Sequence, residues 1–289
     1  MEIEVKGHSG CSIEISRDGQ QLFVHKSTSA PHYIDRLYKQ ALKQQAAAGL
    51  EYQFIRVPSI FHIEKKVNYM GMRMEYVYSK NFIDHFENAG FEQVNYFIEA
   101  FNLFLKKEVE NSTLQRVSSA IVKAKFENVK MIVCANPILN QDKEICRLLE
   151  LSGNVFAMMP CNLELPVGTC HGDLTFSNIL FNGNNYYLID FLDSFIESPL
   201  IDMVKLRQDT AHHWSTLMYT GHYDSTRFSI ICNKIDKDLD CCFSQYDWYR
   251  NYYKTFQLMN FLRILQYAHE ERVIDYLKIV ITDILNSYG

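Results

Sequence analysis

A chain of 289 residues, 47% of them hydrophobic, can bury sizeable cores and is long for one compact unit, so two lobes sharing a cleft are expected. A net charge of −5 gives no basic field for nucleic acid or an anionic membrane, and no apolar run approaches the ~20 residues of a membrane helix. The 8 Cys form no CxxC pair and the first residues are polar and charged, which predicts reduced thiols, no signal peptide, no zinc site and a cytoplasmic protein.

In chain order, residues 11–16 (CSIEIS) and 21–26 (QLFVHK) read as two strands joined at Arg17-Asp18-Gly19-Gln20, a hairpin signal. Pro31 suits a first helical turn, Ile34, Leu37, Tyr38, Ala41 and Leu42 then share one helical face, and Gly49 stops the helix. Strands are expected near 60–67 and 70–77. From about residue 82 the period changes: Val94, Phe97, Ile98, Phe101, Phe104, Leu105 and Val109 form a helical stripe. Helices are expected near 113–128 and 140–151, a loop at 160–168, and strands at 178–182 and 186–191 around Asn182-Gly183-Asn184-Asn185. After Pro199 the periodicity is helical, over 200–215, 245–268 and 270–287. The composition shift at Tyr78–Phe82 divides a β-rich lobe with one helix, 1–80, from a larger, mainly helical lobe, 81–289.

The chemistry concentrates in HGDLTFSN, residues 171–178, and in the strand-end LID that closes at Asp190. One Asp or Asn of this kind usually caps a turn. An Asp, an Asn five residues on and an Asp ending an apolar strand are together the parts that phosphoryl transfer requires. Asp173 can aim or deprotonate an attacking hydroxyl, and Asn178 and Asp190 offer hard oxygens suited to magnesium.

These residues resemble the aminoglycoside phosphotransferase and choline kinase family, as do Ser198-Pro199, Asp202, Lys205 and Gln208-Asp209 in SPLIDMVKLRQD. The resemblance implies an α+β, two-lobed, protein-kinase-like fold: a small β-rich N-terminal lobe with one helix and a larger helical lobe. It implies Asp173 as catalytic base, Asn178 and Asp190 as Mg2+ ligands, and His171 as a structural residue beneath the metal loop. Asp193 would support that loop. Lys26, ending QLFVHK, would hold the α and β phosphates of ATP or GTP. Gly7-His8-Ser9-Gly10 resembles a reduced phosphate-covering turn, with Ser9 or Ser12 near phosphate. MEYV, residues 74–77, would be the hinge, with main-chain contacts from Glu75 and Val77 to adenine.

One part departs from the pattern. The helix after Lys26 (IDRLYKQALKQQAAA) holds no Glu to pair with it; Gln40 or Gln44 could hydrogen-bond the ammonium instead, and Gln44 is the favoured substitute. Gly172, where protein kinases usually carry Arg, and the short span from Asp190 to Pro199 favour a small-molecule kinase. The expected partners are a nucleotide and a sugar, amino alcohol or aminoglycoside-like acceptor, with no nucleic acid and no membrane. Aromatics in YDWYRNYY, residues 246–253, either wall the acceptor or pack between helices, and Lys205 and Arg207 either pair with nearby acids or meet an anion. The rival readings are a nucleotide-binding pseudokinase acting through partners and an atypical protein kinase.

Overall fold

The computed structural model describes residues 3–6 and 11–288. The elements of the first third are β1 (Ile3–Lys6), β2 (Ser12–Asp18), β3 (Gln21–Thr28), α1 (Pro31–Ala48), β4 (Ile55–Arg56), β5 (Ile60–Lys66) and β6 (Tyr69–Glu75). They are followed by α2 (Phe82–Asn88), α3 (Phe91–Glu110), β7 (Thr113–Ser118), α4 (Ala120–Ala135), α5 (Lys143–Ala157) and β8 (Asn162–Val167). The remainder comprises β9 (Ile179–Asn182), β10 (Asn185–Leu188), α6 (Pro199–Thr210), α7 (Ser225–Phe243), α8 (Asp247–Leu265) and α9 (Glu271–Asn286). Met1–Lys107, His171–Asp193 and Tyr223–Phe228 group into one compact unit, and Glu108–Cys170, Ser194–His222 and Ser229–Gly289 into another.

The first unit is built on a five-stranded sheet in the order β1-β2-β3-β6-β5, antiparallel throughout. Gly19 closes the β2–β3 hairpin at φ 60°, a backbone state that costs glycine least. Pro31 starts α1 because its missing N–H would be unpaired there in any case. Tyr33, Ile34, Leu37 and Ala41 of α1 bury against Met70, Met72 and Met74 of β6, at a gain of roughly 1.5–3 kcal/mol for each large side chain. A second sheet, β4-β10-β9, carries the β9–β10 hairpin, which turns at Gly183 with φ 57°. Beneath it Phe86, Phe97, Phe101, Phe176, Phe181 and Tyr186 form a fully buried aromatic core.

The second unit departs from expectation at one place. Residues 113–118 form a strand rather than the start of a helix, and they pair antiparallel with 162–167, expected as loop. Leu114, Val117, Ile121 and Val122 mimic helical spacing, yet Leu114 is 60% exposed, and the helix begins only at Ala120. Pro166 is tolerated because β8 belongs to a two-stranded ribbon. Elsewhere, Ser198 caps α6 by accepting from Leu200 N, Pro199 opens it, and Asp142 caps α5 by accepting from Glu144 N and Ile145 N. Trp248, Tyr249 and Tyr253 of the aromatic run are buried. Arg207 stacks on Tyr253 and pairs through both Nε and Nη2 with Asp236 at 2.8 Å, and with Asp240 and Tyr249. It therefore serves as a packed internal cation. Among the described residues no helix is long and apolar enough to cross a membrane.

Candidate active site

Apolar side chains anchor the motif and the strand that follows it. Leu174, Phe176, Ile179 and Phe181 are buried, and the Phe176 ring lies 5.2 Å from Phe86. The polar residues between them are fixed by short-range bonds. Thr175 N donates to Asp173 O at 2.8 Å, and Asn178 N donates to Thr175 O at 3.0 Å. The Asn178 carboxamide donates from Nδ2 to Asp173 O at 2.8 Å and to Asp173 Oδ2 at 3.1 Å. Both donors of that nitrogen face Asp173, so Oδ1 is the carboxamide atom left for a cation.

The β9–β10 hairpin then returns the chain to the same place. Leu188 pairs with Ile179, and Ile189 N donates to Asn178 O at 3.1 Å. Asp190 follows with φ 62°. A non-glycine residue in the left-handed region costs roughly 1 kcal/mol or more, and such strain concentrates at working sites. Asp190 Oδ1 accepts from Lys26 Nζ at 2.7 Å, across 164 positions of sequence. Lys26 stands in the sheet opposite Ile13 and Met72 and is 2% exposed, against 36% for the Asp190 side chain. An ammonium so far from water needs a close counter-charge. Asp173, Asn178, Asp190 and Lys26 thus belong to one bonded arrangement within one unit.

His171 clips the two loops together. Its Nε2 lies 2.8 Å from Ile189 O, its Nδ1 accepts from Asp173 N at 3.2 Å, and its ring packs 4.3 Å from Phe191. A neutral ring protonated on Nε2 satisfies both contacts. Burial pushes the imidazole down to about 4, against the opposing pull of the Asp173 carboxylate. Burial also brings His85 and His212 down to about 4. The folded value lies below the ordinary 6.5, so the unfolded chain binds the proton first. Stability from these histidines is therefore complete above pH 6.5 and is lost as pH falls through about 4. The fully buried His171 accounts for about 1.4 kcal/mol per pH unit within that window. Urea midpoints at pH 7, 6 and 5 are expected to decline in that order, and a flat profile would refute the neutral-imidazole assignment.

Gly172 is a steric requirement. At its φ of 87° an added Cβ would stand 2.0 Å from Leu192 O. Gly172→Ala is expected to destabilise the protein by roughly 2 kcal/mol or more, because backbone has to move, and a thermal melt will register it.

Other residues singled out in the sequence fall as follows. Gln44 is not brought to Lys26: its Nε2 donates to Pro58 O at 3.2 Å and meets Met74 Sδ at 3.6 Å, because it lies on the face of α1 buried against β6. Asp190 takes the place expected of it. Glu75 N donates to Ser59 O at 2.9 Å, and Val77 is buried. Asp193 Oδ2 lies 3.8 Å from Lys39 Nζ in an exposed pair. Ser9 and its glycine turn lie outside the described residues. One contact had no sequence signal: Lys43 Nζ donates to Leu192 O at 2.6 Å.

Residues 131–223 match the model of the phosphotransferase enzyme family. No curated protein matches the sequence. Many solved chains match, and three of them illustrate the likeness over nearly the whole chain. A thermostable mutant of aminoglycoside phosphotransferase APH(4)-Ia, in ternary complex with AMP-PNP and hygromycin B, superposes with a TM-score of 0.65 at 8% identity, covering 100% of this chain and 94% of that one. A glucosamine kinase in complex with glucosamine, ADP and inorganic phosphate gives 0.64 at 12% identity, covering 98% and 76%. A choline/ethanolamine kinase family protein from Mesorhizobium loti gives 0.61 at 13% identity, covering 99% and 88%.

Proposed function

We propose that this chain, which has the protein-kinase-like fold of the aminoglycoside phosphotransferases and choline kinases, moves the γ-phosphoryl group of ATP or GTP to a hydroxyl of a small molecule. The supporting observation is the bonded set Lys26–Asp190 and Asn178–Asp173, which gathers a cation, two oxygen ligands and a base from distant stretches of sequence. Residues 1–80 hold the nucleotide in this reading, through Lys26, Ser9 and the main chain at Glu75 and Val77. Residues 81–289 supply the catalytic loop and take the acceptor.

Asn178 Oδ1 and the second oxygen of Asp190 fit magnesium, since both are hard, and Asp190 Oδ1 alone is held by Lys26. Magnesium would neutralise charge on the transferring phosphates. Lys26 orients the α and β phosphates. Asp173, its Oδ2 steadied by Asn178, takes the acceptor proton and aims the hydroxyl. His171 and Asp193 support the two loops. Alignment supplies most of the rate, because the protein itself forms no covalent bond. The acceptor class is a sugar, amino alcohol or aminoglycoside, as the glucosamine, choline/ethanolamine and hygromycin relatives suggest. The compartment in this reading is the cytoplasm.

The test is a panel of small hydroxyl compounds incubated with ATP or GTP and magnesium, read by the mass of phosphorylated product. Transfer that Asp173→Asn abolishes supports the reading. Nucleotide binding without transfer to any acceptor would favour a pseudokinase, the alternative motivated by an α1 that gives Lys26 no carboxylate.

A further inference from the structure

Helix α1 extends two lysines, one turn apart, to the loop that follows Asp190, and they are not equivalent. Lys39 and Asp193 lie 3.8 Å apart with side chains 66% and 56% exposed, a pair of little energetic weight. Lys43 is half-buried, and its ammonium donates to the Leu192 main-chain carbonyl at 2.6 Å.

That carbonyl belongs to a crowded peptide. Leu192 N donates to His171 O at 2.9 Å, while Leu192 O is the atom a Cβ on Gly172 would strike at 2.0 Å. The Lys43 ammonium lies 3.5 Å from that same point. Three segments therefore converge on one peptide: the helix through Lys43, the catalytic loop through His171 and Gly172, and the loop carrying Asp190. Two residues earlier, Asp190 holds a left-handed φ of 62°, a conformation that persists only when its surroundings over-determine it.

We infer that Lys43 is a positioning residue for magnesium binding: by holding the Leu192 carbonyl it keeps Asp190 in the strained conformation that faces Lys26 and a cation. The helix thus acts on the metal loop directly, with a cation on a carbonyl, instead of acting on Lys26 with a carboxylate. This inference rests on the proposed function for its ligand.

The test compares the wild type with Lys43→Met and Lys39→Met, two variants of equal charge change. Hydrogen exchange of the ligand-free protein and binding of a fluorescent ATP analogue, in EDTA and in magnesium, are the readouts. For Lys43→Met the Leu192 amide is expected to exchange ~10-fold faster. Its affinity for the analogue in EDTA stays within about twofold, while the gain from magnesium shrinks by ~10-fold or more, as loss of a group orienting a metal ligand commonly produces. Lys39→Met matches the wild type throughout. A wild-type magnesium gain in Lys43→Met, an equal loss in EDTA and magnesium, or identical behaviour of both variants overturns the inference. A wild type that binds no nucleotide, or gains nothing from magnesium, overturns the functional reading first, and that outcome is visible before either variant is measured.

Discussion

Asp173→Asn is expected to lower turnover by ~10²-fold or more while nucleotide affinity stays within about threefold. The substitution is nearly isosteric, and its effect is confined to charge and basicity. The Asp173 carbonyl still accepts from Thr175 N and Asn178 Nδ2, since the acceptor is main chain and survives the substitution. The side-chain oxygen that receives Asn178 Nδ2 at 3.1 Å has an amide oxygen as its replacement. What disappears is the carboxylate proposed to take the acceptor proton. Lys26 and Asp190 are untouched, so nucleotide binding persists. Nucleotide titration beside product mass spectrometry separates the two effects. Full turnover in the variant would remove Asp173 from the role of base.

Asp190→Ala carries the second large effect, and it acts twice. Magnesium-nucleotide affinity should fall by ~10²-fold, with loss of a hard oxygen and of the partner that aims Lys26. Stability should fall as well, by roughly 1–3 kcal/mol, because an ammonium 2% exposed is left without its counter-charge. The partial exposure of Asp190 keeps this loss below that of a fully buried pair. Alanine also tolerates the left-handed backbone at position 190 less well than aspartate. Lys26→Met provides the contrast. It removes the cation proposed to meet phosphate but leaves only a carboxylate that is 36% exposed to water. Nucleotide affinity should therefore drop in both variants, whereas the melting temperature should drop mainly in Asp190→Ala. Equal melting temperatures would show that the pair carries no structural weight.

The local geometry of the candidate site was legible in the sequence where its parts lie close together. HGDLTFSN and the LID strand end specify their own geometry, since Leu174, Phe176, Ile179 and Phe181 bury and the hairpin closes over four residues. Lys26 was readable from its place in an apolar strand. What α1 contributes was not. Gln40, Lys43 and Gln44 look alike as polar residues of one helix, and only packing decides which of them meets Met74, Tyr33 or a loop carbonyl. The β7–β8 ribbon was hidden for a related reason. Its two strands lie far apart in the chain, one imitating a helical period and the other broken by Pro166, so neither shows its partner. The compact unit that combines residues up to Lys107 with His171–Asp193 likewise depends on a return of the chain that a linear composition shift does not encode.

The contact between Lys26 and Asp190 makes the two arriving guests mutually dependent in the proposed reaction. A nucleotide that comes bare draws the ammonium toward itself and finds a naked carboxylate facing its own negative charge. A cation that comes bare claims the carboxylate and strands a buried ammonium. Only when both came together would each half of the opened pair gain a new companion, so in the proposed reaction the resting pair would guard against either one alone.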